Sequence, residues 1–283
     1  MLPQKYKEEK KVGVGIMYLY FIKRMMRQKT FYISVIAGCV ISVLHIWKDV
    51  LPYTDPSLRH SPYTKWIESC SPSVFTSLLF MLMPILASMG MAHLYRRDEN
   101  QNYLSHIICK GKKKSYFAAL FGSNFIFGGL AFIIPILCNI YLCFLLLPNQ
   151  KINFILEPTN NISLLGNDTL FPGLYYDHPL LHMFLYVLLD FIIAGIFASL
   201  ALAISFWIKN IFFVWIVPFA LCYVYETIIC AIFVNGGRRF CPTSFTIQVD
   251  AGVEPFGIFL FVGIGCVLSL FLYCWGIRNY ESY

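Results

Sequence analysis

Two carboxylates, Asp190 and Glu226, lie deep inside stretches that are otherwise apolar, Leu181 to Ile208 and Ile211 to Val234. An acid among Leu, Ile and Phe is costly in its charged form, so it keeps its proton, bonds to a neighbour or serves a polar ligand. Asp190 stands nine residues in from one end of its run and Glu226 eight residues from the corresponding end of the next. At 1.5 Å per residue both are roughly 12 to 14 Å deep, so they could share one site. Two kinds of chemistry fit. The acids are a protonatable pair or a contact for a cationic or amphipathic substrate, with Tyr223 beside them. Alternatively they only fix helix register, each protonated or bonded to a neighbour such as Tyr223, Tyr225 or Thr227.

A second concentration of polar residues runs from Arg96 to Ser115, RRDENQNYLSHIICKGKKKS. Asp98, Glu99, Asn100, Gln101 and Asn102 form an acidic and amide-rich patch. Leu104, Ile107 and Ile108 follow, then a Lys cluster after Cys109. This order fits a short amphipathic helix lying along a membrane surface. It also fits a solvated loop whose charges only set topology.

The elements that must position these residues are six apolar runs: 30–47, 74–95, 116–147, 181–208, 211–234 and 256–277. Each reaches or exceeds the roughly 18 to 20 residues that cross about 30 Å of hydrocarbon as a helix. With 58% hydrophobic residues, 13% charged residues and 26 Phe, a soluble fold would lack the polar surface to cover its apolar groups. The predicted fold is an all-α polytopic membrane protein with six transmembrane helices. Residues 1–29 form an N-terminal cytoplasmic segment and residues 30–283 the six-span domain. The intervals between runs are too short to hold a soluble enzyme domain.

Sixteen of the 22 Lys and Arg fall in the segments on the N-terminal side of the membrane, which places both termini in the cytoplasm. The net charge of +7 is then an orientation signal and an attraction to anionic membrane lipids, and no groove for nucleic acid is expected. The opening MLPQKYKEEKK leads to no small-residue cleavage site, so the first span is expected to persist. If residues 16–28 are helical, Tyr18, Leu19, Ile22, Met25 and Met26 gather on one face and Lys23, Arg24 and Arg27 on the other. Such a helix would lie in the inner interface, unless the segment merely anchors the first span.

Several chemistries have no residues to perform them. The sequence contains no G-x-x-x-x-G-K-[ST] phosphate cradle, no H-E-x-x-H and no G-x-S-x-G. The six His are scattered, and a lone His at a span end reads as an interfacial residue. The ten Cys show no metal-ligand spacing; Cys70 and Cys241 fall in outer segments, where they pair or remain thiols. The two Asn-x-Ser/Thr sequons, at Asn161 and Asn167, matter only in a eukaryotic secretory pathway, and no glycans are expected on them. Small residues recur every four positions at Gly195, Ser199 and Ala203, and at Ala118 and Gly122, allowing close helix approach. Pro84, Pro135 and Pro218 interrupt their spans.

The order of these features resembles the permease subunit of type-2 ABC exporters. An N-terminal amphipathic segment precedes six spans, a polar stretch follows a Pro84-containing second span, and Lys112 to Tyr116 opens a long third span. A sizeable outer segment, Asn235 to Pro255, precedes the sixth. The resemblance implies that Arg96–Ser115 is a coupling helix, with Arg96, Arg97, Asp98, Glu99, Asn102, Tyr103, Leu104 and Ile107 facing a separate ATP-binding cassette ATPase. It also implies a second permease copy or a related permease, ATP and Mg held by the ATPase alone, no cofactor on this chain, and a bacterial cell membrane. Two alternatives are a proton-coupled carrier using Asp190 and Glu226, and a membrane immunity or sensor protein that binds without transporting.

Overall fold

The computed structural model describes Gly15 and residues 17–54, 60–69, 73–101, 104, 113–150, 152, 169–233, 236–248 and 254–280. No strand occurs among them. Helix α1 covers residues 17–25. It is followed by α2 (Lys29–His45), α3 (Pro62–Lys65), α4 (Val74–Met91), α5 (Leu94–Asn100) and α6 (Lys113–Leu146). The remaining helices are α7 (Pro172–Asp177), α8 (Pro179–Ile204), α9 (Ile211–Ile232), α10 (Pro242–Phe245) and α11 (Pro255–Tyr280).

Among the described residues six helical stretches are long and apolar enough to cross a membrane: Lys29–Tyr53, Val74–Asn100, Lys113–Leu146, Pro179–Ile204, Ile211–Ile232 and Pro255–Asn279. They agree with the six apolar runs to within a few residues, except where the first two extend further. The chain is an all-α, multi-pass membrane protein. At 34 residues, α6 is about 51 Å long and outreaches the hydrocarbon.

The helix starts are written locally. Proline occupies the first turn of α3, α7, α8 and α10, where its missing N–H would have had no partner. Ser73 caps α4 and Asn210 caps α9, each side chain accepting from the backbone N–H two residues on. Pro84, Pro135 and Pro218 lie inside continuous helices.

Chain direction places α1, α5 and the end of α11 at one end of the bundle, the near end, and α3, α7 and α10 at the other, the far end. The core divides likewise. A near cluster packs Phe21, Met25, Tyr95, Tyr116 and Phe117. A far cluster packs Trp66, Ile67, Phe132, Tyr186 and Phe245. The tightest approach joins three helices at small residues. A methyl group on Gly128 of α6 would fall 2.1 Å from Ala198 Cβ of α8, and one on Gly90 of α4 would meet Gly128 at 3.4 Å. Asn124 Nδ2 donates to Ala198 O at 2.7 Å beside this contact. The expected small-residue stripes serve other neighbours: Gly195 receives Phe125, and Gly122 makes room for the Tyr18 hydroxyl.

Helices α9 and α11 stand apart in their burial. Val214 and Pro218 are the buried residues of α9, and Phe212, Phe213, Val224 and Ile228 present large apolar side chains outward.

Candidate functional site

The near-end junction is built on Asp98. This residue lies at the near end of the second helical stretch, in α5, and is fully buried. Arg24 of α1 donates to both its oxygens, with Nη1 to Oδ2 at 2.7 Å and Nη2 to Oδ1. The Tyr116 hydroxyl of α6 donates to Oδ2 at 2.5 Å. A planar guanidinium on a carboxylate gives two parallel charge-assisted bonds, and the tyrosine satisfies a further lone pair, so the buried charge is fully engaged. Three separate elements are thereby tied together.

This arrangement corrects two expectations. Arg24 is not on an outward polar face of α1 with Lys23 and Arg27; it turns inward, and Phe21, which was placed on neither face, is the fully buried residue with Met25. Leu19, Ile22 and Met26 remain exposed. Asp98 is likewise not a surface residue of a polar loop. Of the residues expected to face an ATPase, Arg96 is buried, donates from Nε to Ile208 O at 3.0 Å and pairs with Glu99. Leu104 is also buried. Arg97 is exposed, with Nη1 donating to Gln28 Oε1 at 3.0 Å, and Glu99 is half-buried. Asn102, Tyr103 and Ile107 lie outside the described residues.

The far half of the bundle holds a second polar constellation, and here the partner of Asp190 differs from the one expected. Asp190 is fully buried on α8. The acid that meets it is Glu68, from the connection between the first two spans, not Glu226. Glu226 is half-buried on α9 and accepts instead from Thr243, from the backbone N at 3.2 Å and from Oγ1 at 2.7 Å. Tyr223 is 62% exposed, whereas Asp190 is fully buried, and the Tyr223 carbonyl accepts from Thr227.

Glu68 reaches the interior because its whole segment enters the bundle. Ser61 caps α3 by accepting from Tyr63 N, and the chain then turns so that Trp66, Ile67, Glu68 and Ser69 are all buried. Several of their groups find partners on other elements. Ile67 N donates to Asn139 Oδ1 of α6 at 3.0 Å, and Ile67 O accepts from Thr76 Oγ1 of α4 at 2.6 Å. Glu68 O accepts from Gln248 N at 2.8 Å. The Trp66 indole donates to Gln248 Oε1 at 2.7 Å. Gln248 Nε2 then faces His182 Nδ1 at 2.8 Å, so that ring nitrogen accepts and Nε2 carries the proton, donating to Leu170 O at 2.6 Å.

Within this network the Glu68 and Asp190 carboxyls, and the Ser69 hydroxyl beside Glu68 in sequence, are buried without partners among the described residues. No N–H or O–H among the described residues reaches any of the four carboxyl oxygens, and all four are buried. Burial first, and then the neighbouring Asp190 carboxyl, push Glu68 well above the usual carboxylate range. Two facing carboxylates have no donor between them, so their close approach requires a proton.

Sequence reasoning missed Glu68, because it stands in a connection expected at the surface. Its one local signal is the pair of large apolar residues, Trp66 and Ile67, directly before it. His182 was expected at an interface and is a buried relay instead. Of the expected Cys70–Cys241 pair, Cys70 lies outside the described residues. Cys241 has Cys230 Sγ 3.8 Å from its own. Among the described residues no group of His, Cys, Asp and Glu is arranged to hold a metal ion.

An apolar cavity of about 210 Å³ opens between α8 and α11, beside His182 and Tyr186, and is lined also by Leu189, Ile258 and Phe259. No family model matches this chain, and no curated protein or solved structure matches it.

Proposed function

We propose that this chain is the transmembrane subunit of a type-2 ABC exporter, moving an apolar or amphipathic substrate such as a peptide, a lipid-linked molecule or a drug. The observation that carries this reading is the junction of Arg24, Asp98 and Tyr116. An exporter driven from outside the membrane must pass force from a cytoplasmic contact into its helices. A buried, bidentate ion pair joining α1, α5 and α6 makes the stretch after the second span rigid with the third, which is what such a contact needs.

The contact face is then narrower than the sequence alone implied. Arg97, Asn100 and Gln101 are exposed and part of Glu99 is accessible, whereas Asp98 and Arg96 hold that face in place from beneath. The near end is cytoplasmic on this reading, in keeping with sixteen of the 22 basic residues on that side. ATP and Mg belong to the partner ATPase, and the outward apolar sides of α9 and α11 leave room for lipid and for a second permease. The cavity beside Tyr186 suits an apolar substrate or lipid tail.

The test is purification in mild detergent from the native cell, with mass spectrometry of the copurifying chains. The expected result is a stoichiometric nucleotide-binding subunit, retained by wild type and depleted by Arg97→Glu at unchanged permease stability. A wild-type protein that purifies alone overturns the reading in favour of a proton-driven carrier.

A further inference from the structure

Glu68 and Asp190 come from different elements and meet with all four carboxylate oxygens buried, and no donor among the described residues reaches them. Among the described residues the amides around them are already committed, and the Ser69 hydroxyl makes no bond to either carboxyl. Gln248 spends its amide on Trp66 and His182, and Asn139 spends its own on Ile67 N, on Ser42 O at 3.2 Å and on His45 Nδ1 at 3.1 Å. Tyr186, one turn from Asp190 on α8, is the remaining titratable group whose charge the pair would feel, and its hydroxyl is held by Leu170 N and Thr169. From α6, Cys143 contributes a thiol turned to Lys65 O, and from α2, His45 is reached only through Asn139. The nearest cation on the segment, Lys65, has its ammonium 4.2 Å above the Tyr53 ring.

We propose that Glu68 and Asp190 are a proton-binding site that latches the 62–69 segment into the far half of the bundle. With one proton held between the carboxyls, the segment seats; when that proton passes to water at the far end, the two anions repel and the segment withdraws. Glu68 is the mobile member, because it rides on a short connection, whereas Asp190 is fixed in the middle of a 26-residue helix. Withdrawal breaks the bonds of Ile67 to Asn139 and Thr76 and that of Glu68 to Gln248, and so exposes the polar groups of three other elements. The ligand is a proton rather than a larger cation, because the apolar cavity beside Tyr186 is lined by neither carboxyl. The latch does not depend on what energises the protein, so it stands or falls apart from the exporter reading.

Hydrogen–deuterium exchange of the purified full chain in nanodiscs tests it, following peptides over 62–69 at pH 5.5, 7 and 8.5 with the intrinsic pH dependence of exchange divided out. Wild type is expected to lose protection there by about tenfold or more as pH rises, while α6 peptides stay protected. Glu68→Gln, which imitates the protonated acid, is expected to stay protected at all three values, and Asp190→Asn to flatten the dependence likewise. If α6 shows that either variant has unfolded, the other decides. Protection independent of pH in wild type overturns the latch, as does an unchanged dependence in the folded variants. Protection at pH 8.5 that appears with sodium and vanishes with choline would replace the proton by a metal cation and also overturn it.

Discussion

Arg24 and Asp98, 74 residues apart in sequence, meet through two parallel hydrogen bonds, with the carboxylate fully buried and the guanidinium mostly so. The pair closes the near end together with Tyr116, whose hydroxyl donates to the same carboxylate. Burial by itself would depress the Arg24 pKa, but the bond to Asp98 and its charge more than reverse this. Such a pair adds little over an apolar contact of the same shape, yet breaking it strands a buried charge.

Arg24→Ala is therefore expected to lower stability in detergent by about 3–5 kcal/mol, the cost of a buried carboxylate left without its cation. The double variant Arg24→Met/Asp98→Leu should recover most of that loss. Melting curves of the single and double variants, read as a cycle, check the coupling.

Gly128→Ala should destabilise by roughly 1–3 kcal/mol through overpacking, since its methyl group would sit 2.1 Å from Ala198 Cβ. Gly263→Ala is the control, because a methyl group there meets nothing within 4 Å. Equal melting temperatures for the two variants would contradict the three-helix contact.

Gln248→Leu removes the acceptor for Trp66 and the donor to His182 in one step. Leaving both buried groups unsatisfied should cost about 1–3 kcal/mol each. The far-end segment should lose exchange protection at every pH, which separates this change from the proton-dependent loss expected of wild type.

The stability of the whole protein should depend on pH through Glu68. Its pKa is raised in the fold by burial and by Asp190, so folding favours the protonated form. This contribution is complete below the ordinary carboxyl range and is lost as pH rises toward the raised value. Melting temperature in detergent should thus be higher at pH 5 than at pH 8, and Glu68→Gln should shrink the difference.

Cys241 is buried and its thiol is pushed up to about 12, chiefly by burial, while Cys230 beside it is exposed. Alkylation proceeds through the thiolate. At pH 7.5, N-ethylmaleimide should label Cys230 at least about tenfold faster than Cys241, as measured by peptide mass spectrometry over time.

The amino-acid sequence by itself determined the six spans, their limits to within a few residues and the all-α class. Hydropathy over some twenty residues is a local property, and Pro62, Pro172, Pro179, Ser73 and Asn210 mark helix starts where they stand. Asp190 was also legible as an unusual acid, since nothing around it in the chain is charged. What only the tertiary structure decided is which residue it meets. Helices that are apolar on every side carry no period to fix their rotation, so matching the depths of Asp190 and Glu226 could not show that they turn to different neighbours. Glu68 arrives by the insertion of a connecting segment, and Asp98 disappears from the surface because Arg24 and Tyr116 converge on it from distant parts of the chain. The burial of Asp98 follows from the cost of leaving a buried charge unpaired, and the seating of the Glu68 segment from the bonds its backbone makes to Asn139, Thr76 and Gln248, all settled among elements that become neighbours only in the folded bundle.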